Sequence, residues 1–242
     1  MTLELRDVMK KVRAGSVRVT YEKLDIRIEE RASVAFLAHA EAGVEGIVNL
    51  ICGADAPDRG QIIRGHSISW PIPNSSFIQG HLSLAANARF LARLYEIDER
   101  AYLARIAETG LDKFLDTRVE NVSGEIKGLF VFVAGVSLPF DRYIITKTTF
   151  GKKTFPDLAD RLFEDLRQRA GLLLVTSNAK VAAQYCDEAF VFDQGTATFY
   201  DDMEAATEHF SSIQSKDAER DSEDDADDNA DSDLENMVGL DF

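Results

Sequence analysis

A short apolar run, a loop of small residues and an apolar helix, in that order, constrain the fold of this chain more than any other feature. Residues 34–37 are apolar throughout, as expected for a buried strand. The sequence AHAEAGVEG follows, and apolar residues then recur at helical spacing until Gly53, which ends the pattern. This order of elements is the framework of a phosphate-binding loop.

The residues that give such a loop its chemistry are absent. A working loop reads G-x-x-x-x-G-K-[ST], in which amides hold phosphates, the Lys neutralises them and the hydroxyl binds magnesium. On that pattern Ala38 and Gly43 stand at the two glycine positions, Val44 replaces the Lys, and Glu45 replaces the Ser or Thr. A carboxylate at a helix N-terminus takes the place of an anionic phosphate. We therefore predict that residues 43–46, which end at Gly46, form a loop like that of a nucleotide-binding site but without the side chains that bind phosphate and magnesium. The alternative is an ordinary turn between a strand and a helix.

The charge of the chain is concentrated at its C-terminal end. The 242 residues carry a net charge of -15. Residues 215–242 contain twelve acidic side chains and two basic ones, a net charge of -10, so the preceding 214 residues carry only -5. No basic face stands out, which argues against nucleic acid as a partner. We predict a disordered, solvated tail over 214–242, and the final LENMVGLDF has the composition of a docking peptide as an alternative.

Other features favour an intracellular protein without a metal. Cys52 and Cys186 lie in apolar surroundings and are expected to be free thiols in a reducing compartment. The N-terminus lacks the apolar core of a signal peptide, and no apolar window is long enough to span a membrane. We therefore expect a cytoplasmic protein that reaches a membrane only through a partner. The four histidines show no metal-ligand spacing, so no metal site is predicted.

The order of predicted elements indicates an α/β domain over residues 1–213. Alternation over 2–30 predicts two or three antiparallel strands, and helical periodicity over 80–122 predicts an α-helical subdomain. Pro71 and Pro73 are expected to end regular structure, with a short extended piece at 77–79 and a third helical segment over 111–122. Farther along, strands alternate with helices, which predicts a largely parallel, covered sheet.

Two long segments carry a resemblance to a known family. Residues 68–95, ISWPIPNSSFIQGHLSLAANARFLARLY, resemble the region around the Q-loop of ABC transporter nucleotide-binding subunits. Residues 171–210 resemble their H-loop region and terminal helix. The likeness covers about residues 2–213 and is strongest to the ATP-binding subunits of capsular-polysaccharide exporters. It implies an ABC-type P-loop NTPase-like fold, ATP hydrolysis with magnesium, and two kinds of partner, a membrane-spanning permease and a second ATP-binding subunit.

Carried over one residue at a time, the resemblance implies that the catalytic groups are lost. The Q-loop residue corresponds to Gln79 and is retained. The Walker B pair of Asp and Glu, which organises magnesium and polarises the attacking water, corresponds to Thr146 and Lys147. The switch His corresponds to Asn178. Residues 148–155 hold no clear counterpart of the D-loop Asp.

The signature motif, L-S-G-G-Q in general form, is also altered. It corresponds to residues 122–126, in which Ser123 and Gly124 are retained and Glu125 replaces the second glycine. That change puts a negative side chain where the γ-phosphate held by a partner subunit docks. Some of these residues also have plain structural interpretations. Ser123 is typical of a helix N-cap, Gln79 of a polar loop, and Lys147 of a solvated strand end.

Three functions follow from the sequence. The first is a degenerate, non-hydrolysing ABC subunit of a polysaccharide export system, acting through dimer and permease contacts, with Gln79 and residues 80–122 as the coupling surface. The second is a freestanding scaffold or regulatory protein that uses the ABC fold and the acidic tail for interactions. The third is an active transport ATPase. The first predicts no catalytic residue and no bound ATP or magnesium.

Overall fold

The computed structural model describes residues 2–148 and 157–214, in two sheets packed with helices. The strands are β1 (Leu3–Ala14), β2 (Val17–Ile28), β3 (Ser33–Ala38), β4 (Arg59–Arg64), β5 (Ile68–Ile72), β6 (Arg142–Ile145), β7 (Gly171–Thr176), β8 (Glu188–Asp193) and β9 (Thr196–Tyr200). The helices are α1 (Val44–Cys52), α2 (Leu84–Leu94), α3 (Glu99–Ile106), α4 (Gly124–Val136), α5 (Leu158–Arg169), α6 (Ala179–Tyr185) and α7 over 203–214. The predicted acidic tail lies outside the described residues.

The N-terminal part is antiparallel, as predicted: residues 2–30 form the two strands β1 and β2, and β4 from later in the chain adds a third. Its strands lie in the order β2-β1-β4. Val12 of β1 lies opposite Val19 of β2, and both side chains are buried, whereas their neighbours Arg13 and Arg18 face solvent. This alternation buries one face of the sheet against α1 and the second sheet.

The second sheet has six strands in the order β5-β6-β7-β3-β8-β9, all parallel except β9. β3 lies at its centre, and all six of its residues are buried. Val34 and Phe36 pack with the N-terminal sheet and α1, whereas Ala35 and Leu37 pack with the helices on the other side. The continuous apolar run of β3 is therefore explained by burial of both faces.

Details between 71 and 122 differ from the sequence prediction. Pro71 does not end regular structure but lies within β5, because β5 is an edge strand that pairs with β6 on one side only. Residues 77–79 are not extended; the amide of Ile78 donates to the carbonyl oxygen of Ser75 in a turn. Residues 111–122 form two 3₁₀ turns rather than a helix, since Arg118 between them is extended and bridges Ser83.

A buried arginine joins three parts of the fold at the amino end of β6. The guanidinium of Arg142 is fully buried and donates to the carbonyl oxygens of Glu30 and Ala32, each at 3.0 Å, and to that of Glu29. Burial lowers its pKa to about 10. These bonds satisfy a charged group that would otherwise be costly to bury, and they tie the turn between β2 and β3 to β6.

His66 completes this cluster in its neutral form. Its Nε2 accepts a hydrogen bond of 3.3 Å from Nε of Arg142, while its Nδ1 is buried without a partner among the described residues. Burial and, second, the charge of Arg142 lower the pKa of His66, against a weaker opposing effect of Asp141 and Glu30. Protonation would remove the acceptor and place two positive charges together.

We expect the free energy of unfolding to fall as the pH drops below about 6.5, the ordinary pKa of histidine, in part because of His66. The unfolded chain binds a proton in that range more readily than the folded chain, so acid favours unfolding. Urea titrations at pH 7.5 and pH 5.5 measure the effect. The loss should be smaller in His66→Gln and unchanged in the control His81→Gln, which alters an exposed ring. An equal loss in all three proteins would contradict this role of His66.

Candidate functional site

The loop predicted from the sequence is present at the centre of the six-stranded sheet. β3 ends at Ala38, a 3₁₀ turn spans Ala40–Ala42, and α1 begins at Val44. Gly43 is the N-cap and has a φ of 68°, the left-handed conformation that favours glycine. The strand, loop and helix therefore follow in the predicted order; the strand is one residue longer at each end than the apolar run 34–37.

The two glycines of the loop make room for a side chain of the same protein. A Cβ on Gly43 would lie 2.5 Å from Cγ2 of Val12, and one on Gly46 would lie 2.2 Å from its Cγ1. Val44, in the position of the phosphate-binding Lys, is only 4% exposed and packs in the same apolar cluster. Val12 of β1 thus packs closely against both glycines of the loop.

A crevice opens between the loop and the carboxyl ends of β6 and β7. Its volume is about 560 Å³, and it lies where parallel sheets generally bind ligands. Residues that line it include Ala38, His39, Val44, Glu45, Thr146 and Thr176. Glu45 is exposed in the first turn of α1, where the helix dipole favours its negative charge. The crevice thus joins Val44 and Glu45 with Thr146, as the resemblance implies.

Thr146 makes a structural contact in the place of the Walker B Asp. Its amide donates to the carbonyl oxygen of Ile72 at 2.8 Å, and its hydroxyl donates to the same oxygen at 3.2 Å. Both bonds join the end of β6 to the end of β5. A neutral hydroxyl engaged in this way is a poor substitute for a carboxylate that organises magnesium. Lys147 is exposed and does not line the crevice.

Asn178, in the place of the switch His, caps α6. Its side-chain oxygen accepts hydrogen bonds from the amides of Lys180 and Val181 at 3.1 and 3.2 Å. An N-cap of this kind typically contributes about 1 kcal/mol to helix stability. Ser123 has the corresponding role in α4, where its hydroxyl accepts from the amide of Ile126 at 3.3 Å. The structural interpretation of Ser123 is confirmed to that extent.

The remaining signature positions lie apart from the crevice. Gly124 begins α4 and is exposed, and Glu125 follows in its first turn. A Cβ on Gly124 would meet nothing within 4 Å, so packing within the chain does not require glycine there. Neither residue lines the crevice, and the segment that would hold the D-loop falls almost entirely on residues 149–156, outside the described ones.

Gln79 is held in place by a residue that sequence reasoning missed. Asn87 of α2 is 1% exposed, and its side chain accepts from the amide of Gln79 at 2.8 Å and donates to its carbonyl oxygen at 3.1 Å. The side chain of Gln79 itself is exposed. In the sequence, Asn87 is a polar residue at a position where the helical pattern of α2 predicts an apolar one, and this is the signal that could have identified it. Asn87 thus fixes the backbone at the entrance to the helical subdomain.

His39 is a second residue that the sequence did not single out. Its ring stacks on Phe210 of α7, with centroids 4.5 Å apart and planes at 10°. Its Nε2 is buried and has no partner among the described residues. Tyr21 of β2, an aromatic residue near the loop, is fully buried and donates to the carbonyl oxygen of Ala42 at 2.6 Å. Tyr21 is therefore a core residue, unavailable to stack on a base.

The described part of the chain offers neither a metal cluster nor a membrane span. Three or more His, Cys, Asp or Glu side chains do not converge anywhere in it to hold an ion. None of the helices within it has the length and apolar character needed to cross a membrane. Cys186 is buried, which raises the pKa of its thiol to about 12, and Cys52 is half-buried; neither forms a disulfide.

Comparison with known proteins identifies the family. No model of a known protein family matches the chain. The chain is 30% identical over 201 residues to the capsule polysaccharide export ATP-binding protein CtrD of Neisseria meningitidis serogroup B, covering 81% of this chain and 92% of CtrD. It is 28% identical over 225 residues to the polysialic acid transport ATP-binding protein KpsT of Escherichia coli, covering 90% of this chain and 100% of KpsT.

A solved structure shows the same fold. The dimeric ATP-binding cassette MJ0796, in a post-hydrolysis state bound to ADP and Pi, superposes with a TM-score of 0.67 at 14% identity. The match covers 81% of this chain and 96% of that one. The similarity to CtrD, which extends over most of both chains, decides the family. This chain belongs to the ATP-binding subunits of ABC transporters, in the family of capsular polysaccharide exporters.

Proposed function

We propose that this chain is a non-hydrolysing ABC subunit of a polysaccharide export system, which acts through contacts with a permease subunit and a second ATP-binding subunit. One observation carries the proposal: at the central loop the position of the phosphate-binding Lys is a buried Val44, and the adjacent position is the carboxylate of Glu45. The loop keeps its backbone frame and presents negative rather than positive charge to the crevice.

The size of the expected defect supports loss of turnover. Phosphoryl transfer depends on positioned charges, and the loss of a single such group commonly costs about 3 to 4 kcal/mol of transition-state stabilisation. Here the Lys, both Walker B carboxylates and the switch His are replaced, by Val44, Thr146, Lys147 and Asn178. Thr146 and Asn178 are moreover engaged in hydrogen bonds within the fold.

The partners follow from the relatives and from the surface of the helical subdomain. CtrD is named for capsule polysaccharide export, and MJ0796 is dimeric. α2 exposes Phe90 by 52% and Leu94 by 60%, on one helical stripe beyond Gln79. Exposed aromatic and aliphatic side chains at helical spacing are typical of a surface that a partner covers. We assign this stripe to the permease, which would hold the chain at the inner face of the plasma membrane.

Calorimetric titration with ATP should show no magnesium-dependent binding. The reason is that the described residues lining the crevice include no Lys or Arg for the phosphates, whereas Glu45 lies among them. CtrD, titrated in parallel, serves as the positive control because its name assigns it ATP binding. ATP binding by this chain that strengthens when magnesium is added would contradict the proposal.

Purified protein should hydrolyse ATP no faster than the buffer background. Gln79→Ala and Val44→Ala should leave that result unchanged, because neither residue then takes part in turnover. Phosphate release measured over hours with magnesium present checks the expectation. Turnover that disappears in Gln79→Ala would instead support the active ATPase.

The stripe on α2 should determine association with the permease. Phe90→Asp combined with Leu94→Asp should reduce co-purification of the permease at least about tenfold, as expected for central apolar anchors of an interface. Phe199→Asp is the matched control, because Phe199 is 48% exposed on β9, an edge strand of the six-stranded sheet that is not part of the helical subdomain. Association that survives the double substitution but is lost on removing residues 215–242 would favour the scaffold hypothesis.

A further inference from the structure

A second surface of the molecule is charged, unpaired and unused by the proposed function. In the hairpin of β1 and β2, Arg13 and Arg18 lie directly opposite each other, and Lys11 lies two residues before Arg13 on the same face. All three side chains are exposed. Nε of Arg13 donates to the carbonyl oxygen of Gly15 at 3.1 Å, which leaves its charge without an acidic partner in the described part of the chain. Like charges directly opposite in a sheet destabilise it, so a partner of opposite charge would stabilise the hairpin. We name these three residues the basic hairpin face.

Within residues 2–148 and 157–214, no acidic side chain forms an ion pair with the basic hairpin face. Lys10, the neighbour of Lys11, by contrast has its ammonium 2.7 Å from a carboxylate oxygen of Asp55. Glu41 and Asp193 line the same cavity as Arg18, about 340 Å³ in volume, without pairing with it. The charges of the face are therefore open to a partner from outside this part of the chain.

The described chain ends close to that cavity. Phe210 of α7 stacks on His39, and His39 lines the cavity together with Arg18. Residue 214 lies one helical turn beyond Phe210, which is about 6 Å along the helix axis. On the other side of the cavity, the turn between β8 and β9 lies close to β2. A Cβ on Gly195 in that turn would lie 2.3 Å from the carbonyl oxygen of Thr20. Phe210, four residues before the end of the described chain, is thus linked through His39 to the cavity that Arg18 lines.

That segment is the part of the chain with the opposite charge. Residues 215–242 carry a net charge of -10, and five of the six residues 223–228 are acidic. Each residue extends the chain by at most about 3.5 Å, so the 28 residues of this segment can span up to about 98 Å and are long enough to reach the hairpin from α7. Intramolecular attachment also gives these carboxylates a high effective concentration at the face.

We propose that the acidic segment 215–242 docks in cis on the basic hairpin face of its own chain. The occupant is chosen by charge complementarity and by the point at which the described chain ends. Docking compensates the opposed arginines and covers the hairpin beside the loop with carboxylates. This docking does not depend on nucleotide binding, so an experiment can contradict it without contradicting the proposed function.

Zero-length coupling with a carbodiimide tests this docking in the full chain, because the reagent joins only an amine and a carboxylate already in contact. At about 20 mM salt we expect Lys11 to be coupled to acidic residues of 215–242, and several-fold less at about 500 mM, where charges are strongly screened. Lys127, exposed in α4, is the internal control and should couple to the segment far less. Mass spectrometry of the digested protein identifies the pairs.

Substitutions separate specific docking from general attraction. Arg13→Ser with Arg18→Ser should lower the Lys11 coupling several-fold while leaving its amine in place. Arg89→Ser with Arg93→Ser is the matched control, since both arginines already pair with Glu99, and should change nothing. Equal coupling at Lys11 and Lys127, or no loss in the first variant, would overturn the proposal. Coupled pairs that mix isotope-labelled with unlabelled chains would overturn docking in cis.

Discussion

The structure depends on β3, which lies between β7 and β8 and buries both of its faces. A fully buried parallel strand needs cover on both sides, which the N-terminal sheet with α1 gives on one face and the helices on the other. Because β3 is central, the loop that follows it opens at the middle of the carboxyl edge of the sheet. The crevice beside Glu45 and Thr146 results from that topology, whatever residues the loop contains.

The loop after β3 is held by apolar packing. Val12 of β1 lies against Gly43 and Gly46, and Val44 joins the same apolar cluster. These contacts attach the N-terminal sheet to α1 and to the centre of the domain. The loop thereby contributes to the core of the protein.

The arginines of the molecule lie in two different environments. Arg142 is buried and satisfied by backbone carbonyl oxygens, so its charge serves the junction of three strands. Arg13 and Arg18 remain exposed and opposed, although the chain as a whole carries -15. The docking proposed above would place the acidic segment 215–242 against these two arginines.

By itself, the sequence indicated the family through the resemblance of residues 68–95 and 171–210 to ABC subunits. It also indicated the order of the elements and the location of the central loop, because hydrophobic periodicity and glycine positions are local signals. It did not predict that Asn87 holds Gln79, that His39 stacks on Phe210, or that Pro71 is accommodated in an edge strand. Each of these joins residues through a partner on another element, or depends on the position of a strand in the sheet. Only the tertiary structure decided that Val12 packs against the loop glycines and that Thr146 bonds to Ile72, since these contacts arise when distant segments pack together. It also showed that Asn178 caps α6.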